Sequence, residues 1–136
     1  MKEFIIHLDD IVPFKIKDET LIFFNEKENS KFNGNKINCK FYEIIELFYE
    51  FCIQNPGVEP LYNFEYVEVE VVLSHYGRDF LSQKQHSLNM YKIGDKEIIK
   101  CKFNELVRIF GEYYDKNYYT IYNPFLYNEI KLYINK

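Results

Sequence analysis

The amino-acid sequence predicts an α+β fold within a single domain, residues 1–136. Several short segments have apolar residues at every second position, which is typical of strands, and two longer segments have the period of about 3.6 that is typical of helices. The order of strands followed by a helix occurs twice along the chain. A length of 136 residues with 47% hydrophobic composition fits one domain with its own core.

Four segments are predicted to be strands. They are residues 3–8, 11–17, 20–25 and 64–73. In the last of them the valines alternate so regularly that they face the core, while Glu68 and Glu70 face the opposite side of the sheet. Residues 79–92 are predicted to add one or two further strands. Turn pairs at Asn33-Gly34 and Gly94-Asp95 tolerate positive φ and therefore mark hairpins.

Two helices are predicted where the apolar period lengthens. The first places apolar residues on one stripe and leaves three glutamates outside it: Glu43, Glu46 and Glu50. The sequence Asn55-Pro56-Gly57 ends this helix, because proline cannot continue it. The second helix starts near Phe103. In the tail, a helix beginning at Asn123-Pro124 and an edge strand over residues 129–134 are alternative predictions.

One pattern occurs twice in the chain. Residues 37–55 read INCKFYEIIELFYEFCIQN and residues 99–117 read IKCKFNELVRIFGEYYDKN, with eight identical residues at a constant offset of 62. Repetition of this kind indicates two copies of one supersecondary unit. We therefore predict repeat one over residues 1–55, repeat two over residues 63–117, and a tyrosine-rich tail over residues 118–136.

This plan of strands closed by a helix, repeated once, resembles the Whirly-type fold. A ferredoxin-like sheet with two helices on one face is the alternative. Plant Whirly proteins bind single-stranded DNA through a lysine-containing strand motif, which this sequence lacks. Some immunity proteins of bacterial contact-dependent and polymorphic toxin systems look similar in plan, being small, cytoplasmic and often acidic. The resemblance implies a protein that blocks a toxin by covering its active site or cationic surface, and it transfers no functional residue.

Negative charge is concentrated in one segment. Residues 41–77 contain no Lys or Arg and seven glutamates, while the whole chain has a net charge of −4, so the remainder carries +3. We expect this charge to be gathered on one side of the fold, where it attracts basic partners and repels phosphate backbones. The predicted partner-binding residues are Glu43, Glu46 and Glu50 on the helix or Glu65, Glu68 and Glu70 on the strand, with Tyr42, Tyr49 and Tyr66 as anchors. The alternative is that these acids form a solvated surface that only keeps the protein soluble.

Motifs for catalysis and metal binding are missing from the sequence. The histidines, His7, His75 and His86, lack metal-site spacing, and no nucleophile or phosphate-loop motif is present. We predict no catalytic residue, metal or cofactor, although an enzyme with a site assembled from scattered carboxylates stays an alternative. Three cysteines without CxxC spacing favour reduced thiols and a cytoplasmic location.

Nucleic-acid binding is the second functional alternative. Tyr91, Tyr118 and Tyr119 on a sheet could stack bases, and basic residues cluster loosely over residues 78–102. The acidic composition argues against it, because phosphate contacts dominate nucleic-acid affinity. No segment approaches the roughly 20 apolar residues of a membrane span. The predicted partner is thus a basic protein, bound by a monomer or homodimer.

Overall fold

The structure, a computed structural model, describes residues 2–11, 14–21, 32–33, 36–58, 62–63, 66–83, 90–115 and 122–134. Within these ranges the strands are β1 (Lys2–His7), β2 (Phe14–Ile16), β3 (Phe32–Asn33), β4 (Lys36–Ile37), β5 (Tyr62–Asn63), β6 (Tyr66–Val72), β7 (Met90–Ile93), β8 (Lys96–Lys102) and β9 (Glu129–Ile134). The helices are α1 (Asp18–Leu21), α2 (Phe41–Gln54), α3 (His75–Ser82) and α4 (Phe103–Asp115). A 3-10 turn at Leu126–Asn128 precedes β9. The predicted α+β class is confirmed.

The described strands form two antiparallel sheets. The larger has the order β1-β9-β6-β8-β7, and the smaller, made of very short strands, has the order β3-β4-β2-β5. This division differs from the single sheet of the ferredoxin-like alternative. In the larger sheet Val69 of β6 lies opposite Cys101 on one side and Leu132 on the other, and all three are buried.

The core lies between the larger sheet and the helices α2 and α4. Alternation along β6 turns Val69 and Val71 inward, where they join the buried stripes of the two helices in one apolar cluster. The rings of Phe41 and Phe103, the first residues of α2 and α4, meet edge to face with centroids 5.6 Å apart. Each buried phenylalanine contributes about 1.5–3 kcal/mol through removal of its apolar surface from water.

The two halves of the chain correspond in topology. Strands β2, β3 and β4 of the smaller sheet correspond to β6, β7 and β8 of the larger one. In both sheets these strands have the same order of neighbours, β3-β4-β2 and β7-β8-β6. Moreover, Phe41 contacts Phe103 and Tyr49 contacts Gly111, and both pairs obey the offset of 62 found in the sequence. Equivalent residues touch in this way when they lie near a local two-fold axis. That the duplicated plan is Whirly-like stays a prediction.

Several predicted elements need correction. Thr20 and Leu21 belong to α1 rather than to a strand, and residues 22–25 of that prediction lie outside the described residues. Residues 79–82 belong to α3, which starts because the Ser74 hydroxyl oxygen accepts the Gly77 amide hydrogen bond at 3.3 Å. The strand of this region begins only at Met90.

The tail contains a strand, and the helix predicted from Asn123-Pro124 is wrong. The strand β9 is also not at an edge, since it pairs with β1 on one side and with β6 on the other. Ile130 and Leu132 alternate into the core and are buried, which explains this interior position. The predicted hairpin at Gly94-Asp95 is confirmed between β7 and β8, with φ of 63° at Gly94.

Candidate interaction surfaces

Helix α2 positions the three glutamates predicted from its sequence. The carboxylate of Glu43 accepts the backbone N–H of Lys40 at 3.2 Å, which satisfies one of the amide groups left open at a helix start. The helix ends at Gln54, before Pro56 and the left-handed Gly57. Glu43, Glu46 and Glu50 share the stripe opposite the buried residues, as predicted, and all three are half-buried.

Helix α4 repeats this arrangement beside α2. Its half-buried Glu105 and Glu112 occupy the positions equivalent to Glu43 and Glu50, while exposed Arg108 stands where α2 has Glu46. We call the two helices the helix layer. The helix layer contains six acidic residues and one basic residue, so its formal charge is −5. The whole chain has a net charge of −4, so the remaining residues together are slightly positive.

Two of the predicted anchor tyrosines, Tyr42 and Tyr49, make contacts with helix α4. The ring of Tyr42 stacks on Tyr114 with centroids 6.3 Å apart and planes 14° apart. Tyr49 packs against Gly111, and both tyrosines are half-buried. Each ring thus fills part of the space between α2 and α4, and the role of these two residues as partner anchors stays a prediction. Tyr66 starts β6, but its side chain, like all of Glu65, lies outside the described residues.

The strand glutamates lie on a different surface from the helix glutamates. Because Val69 and Val71 face the helix layer, Glu68 and Glu70 face the opposite side of the larger sheet. We call this side of β1, β9, β6, β8 and β7 the outer face. The prediction of acids gathered on one side of the fold is thus wrong for the described glutamates, since sheet alternation separates the two groups.

Glu70 is the centre of a hydrogen-bonded group on the outer face. Its carboxylate accepts hydrogen bonds from the hydroxyls of Tyr91 at 2.7 Å and Tyr133 at 3.2 Å, and Lys131 Nζ lies 3.4 Å away. Desolvation acts to raise the pKa of Glu70, but Tyr91, Lys131 and Tyr133 together hold that pKa below its ordinary value of 4.5. Burial, followed by the charge of Glu70, raises the pKa of Tyr133 to about 12.

Charges on the outer face balance one another. The register and alternation of the five strands place eight charged residues there: Glu3, Glu68, Glu70, Glu129, Lys96, Lys100, Lys102 and Lys131. Glu68 lies directly opposite Lys102, and Glu70 directly opposite Lys100. Lys100 Nζ also lies 4.4 Å from the centroid of the Tyr133 ring, a cation–π contact that covers one side of this ring.

One exposed tyrosine projects beside the outer face. Tyr127 is 72% exposed and has φ of 59°, a left-handed conformation that non-glycine residues adopt at a cost. Asn128 follows with φ of 56° and is held by its side-chain amide, which donates to Asp9 Oδ2 at 2.9 Å. Beneath Tyr127 is a half-open pocket of about 200 Å³, lined by residues that include Val72, Lys96 and Ile130. The only indication of this turn in the sequence is Asn128, because asparagine tolerates positive φ.

Two observations on the described residues concern metal binding and cysteine chemistry. Among them, no group of three or more His, Cys, Asp and Glu side chains is arranged to hold a metal ion. Burial, with smaller effects of Glu105 and Glu68, raises the pKa of the Cys101 thiol to about 12, which disfavours the thiolate form needed in a nucleophile. Within the described ranges, no helix is both long and apolar enough to cross a membrane.

Fold and surfaces together define an α+β protein with an acidic helix layer on one side of its larger sheet and a charge-balanced outer face on the other. No family model, no curated protein and no solved structure matches the chain.

Proposed function

We propose that this chain is a protein-binding inhibitor of the immunity type, which neutralises a basic, nuclease-type bacterial toxin in the cytoplasm. The helix layer is its contact surface. The observation that supports this most directly is the formal charge of −5 on two packed helices in which Arg108 is the only basic residue.

The electrostatic argument depends on what a nuclease needs. A nuclease must be cationic where it meets the phosphates of RNA or DNA, so an inhibitor with clustered carboxylates complements that surface. Opposite charge also steers the two proteins together and accelerates their association at low ionic strength. The glutamates of the helix layer act here through their summed field, which extends about 10 Å at 0.1 M salt.

The outer face gives no support to the nucleic-acid alternative. Its four carboxylates balance its four ammonium groups, so it does not supply the positive field that drives phosphate affinity. Tyr133, a ring on this face, is already covered on one side by Lys100. We therefore do not propose single-stranded nucleic acid as the ligand.

The proposal expects a neighbouring gene to encode a basic nuclease-type domain, and the test is a kinetic measurement of the association of that domain with this chain. We expect the association rate constant to fall steeply between low and physiological salt. The double variant Glu50→Lys with Glu112→Lys removes charge from the helix layer and is expected to slow association at low salt by roughly tenfold or more.

The control variant is Glu3→Lys with Glu19→Lys, which makes the same change in net charge at exposed positions outside the helix layer. It is expected to slow association much less. Equal slowing by both variants would show that only net charge matters and would exclude the helix layer as the contact surface. Absence of binding to the basic domain by the unmodified chain would reject the inhibitor function.

A further inference from the structure

We infer that the outer face is a dimerisation surface, and that its occupant is a second copy of this chain related by a two-fold axis. This inference does not depend on the proposed function, since it concerns the opposite side of the larger sheet. It rests on three independent features of the outer face: exposed apolar side chains, the register of its charges, and the projecting Tyr127.

Apolar side chains are exposed on the outer face. Ile5 is 61% exposed, Ile93 is 61% exposed and Tyr91 is 40% exposed, and Tyr127 at 72% stands beside them. The strand pairing places Ile5 on β1 near one edge and Tyr91 and Ile93 on β7 at the other. Tyr91, Ile93 and Tyr127 are the exposed side chains that a partner centred between β6 and β8 covers, whereas Ile5 lies on the far edge strand, outside that contact.

The charges of the outer face are complementary to those of the same face on a second copy. Glu68 and Glu70 follow one another along β6, and the lysines opposite them, Lys102 and Lys100, follow one another along β8. Consider a two-fold axis that lies above the outer face, runs parallel to the strands and passes midway between β6 and β8. This axis brings β6 of each copy over β8 of the other. Glu68 then faces Lys102 of the second copy, and Glu70 faces Lys100 of the second copy. Every such contact occurs twice, as a two-fold interface requires.

The same axis accounts for the exposed residues at one end of the face. It brings β9 of one copy over β7 of the other, because these strands flank β6 and β8. Tyr127 lies just before β9, and Ile93 lies at the corresponding end of β7, paired with Lys96. Tyr127 of each copy therefore meets Ile93 of the second copy. An aromatic ring against an apolar side chain is the kind of contact that contributes most of the affinity in interfaces.

Charge balance makes a second copy a better occupant than a polyanion or a strongly basic protein. The whole chain has a net charge of −4, which makes two copies repel each other. On the outer face the formal charges cancel, so this side of the molecule can approach its own copy without that repulsion. A highly charged ligand of either sign would meet as many like charges as opposite ones there.

The test uses the isolated full chain in sedimentation equilibrium over a series of concentrations, with no other protein present. We expect a reversible monomer–dimer equilibrium. The variant Tyr127→Asn, which keeps a residue that tolerates positive φ, is expected to raise the dimer dissociation constant by about tenfold or more. Circular dichroism confirms that each variant is folded.

A mixing experiment distinguishes contacts between copies from contacts within one chain. Glu68→Lys alone sets two ammonium groups against each other across the interface, and Lys102→Glu alone sets two carboxylates against each other, so each variant is expected to be monomeric. An equimolar mixture of the two variants restores opposite-charge contacts between the copies and is expected to form a heterodimer. The inference is overturned if the unmodified chain stays monomeric, if its dimer is unaffected by these changes, or if the mixture does not associate.

Discussion

Gly111 of α4 lies so close to Tyr49 of α2 that a β-carbon at residue 111 would be 2.5 Å from Cγ of the tyrosine ring. These two residues are also equivalent in the sequence repeat, being 62 positions apart. One copy of the repeat therefore has the smallest residue where the other has a large aromatic one. The asymmetry allows two equivalent positions to meet near a local axis, which two tyrosines could not do.

Substitution of Gly111 by alanine should destabilise the protein by about 1–3 kcal/mol, because the added methyl group overpacks the contact with Tyr49. Alanine has the higher helix propensity, so an increase in stability would be expected if the contact were loose. Urea denaturation measures the change. Gln54→Ala, at the exposed end of α2, is the control and should change stability by less than about 0.5 kcal/mol. A Gly111→Ala variant as stable as the parent would contradict the close approach.

The hydrogen bonds to Glu70 should make stability depend on pH in the acid range. Because the folded-state pKa of Glu70 lies below its ordinary value of 4.5, the folded state is favoured while this carboxylate is ionised. This contribution is fully present above pH 4.5 and is lost as pH falls through the folded-state pKa. Glu70→Gln should therefore flatten the acid side of the stability profile measured by urea denaturation at several pH values.

Tyr91→Phe provides a graded control for this titration. It removes the strongest hydrogen bond that lowers the pKa of Glu70 but keeps Lys131 and Tyr133. Its stability profile should lie between those of the parent and Glu70→Gln. Three superimposable profiles below pH 4.5 would show that the Glu70 group does not form in solution.

Thiol reactivity should separate the three cysteines. Cys52 is half-buried, whereas Cys39 and Cys101 are buried, and burial raises the pKa of Cys101 to about 12. In the native protein Ellman's reagent should label Cys52 first, and Cys52→Ser should abolish the fast phase. In denaturing urea all three thiols should react. Fast labelling that persists in Cys52→Ser would place another thiol at the surface.

Tyr127→Asn should stabilise the monomer by about 1 kcal/mol, because asparagine adopts the left-handed conformation of this residue with less strain. The measurement is thermal or urea unfolding at a protein concentration low enough to keep the chain monomeric. Tyr122→Asn replaces another exposed tyrosine whose φ is not positive, and it should bring no such gain. A Tyr127→Asn monomer less stable than the parent would mean that the tyrosine ring supports the fold.

The sequence was sufficient for elements whose pattern is local. Helix α2 and strand β6 were predicted because their apolar residues repeat with the correct period, and both patterns are buried as expected. Helix α3 was missed because it is only eight residues long and its one fully buried residue is a glycine, which adds no apolar side chain to a helical pattern. The interior position of β9 was missed because it depends on pairing with β1 and β6, which are distant in sequence.

The candidate surfaces were predicted less well than the fold. Acidic residues close together in sequence were expected to be close in space, but the chain passes from α2 to β6, whose glutamates face away from the helix layer. Tyr42 and Tyr49 lie at the border of the apolar stripe of α2, where a helical pattern alone does not decide between packing and exposure. Tyr127 lies in a short turn without a repeating apolar pattern, so its exposed position beside the outer face was not predictable from the sequence.

The insertion of β9 between β1 and β6 has a consequence for how the protein forms on the ribosome. In the part of the chain that the structure describes, β1 pairs with no strand except β9. Residues 2–7 include one phenylalanine and two isoleucines. They can form this strand pairing only after residues 129–134 have been synthesised and have emerged from the ribosome. An apolar segment that is exposed during translation is prone to aggregation and is the kind of surface that chaperones bind.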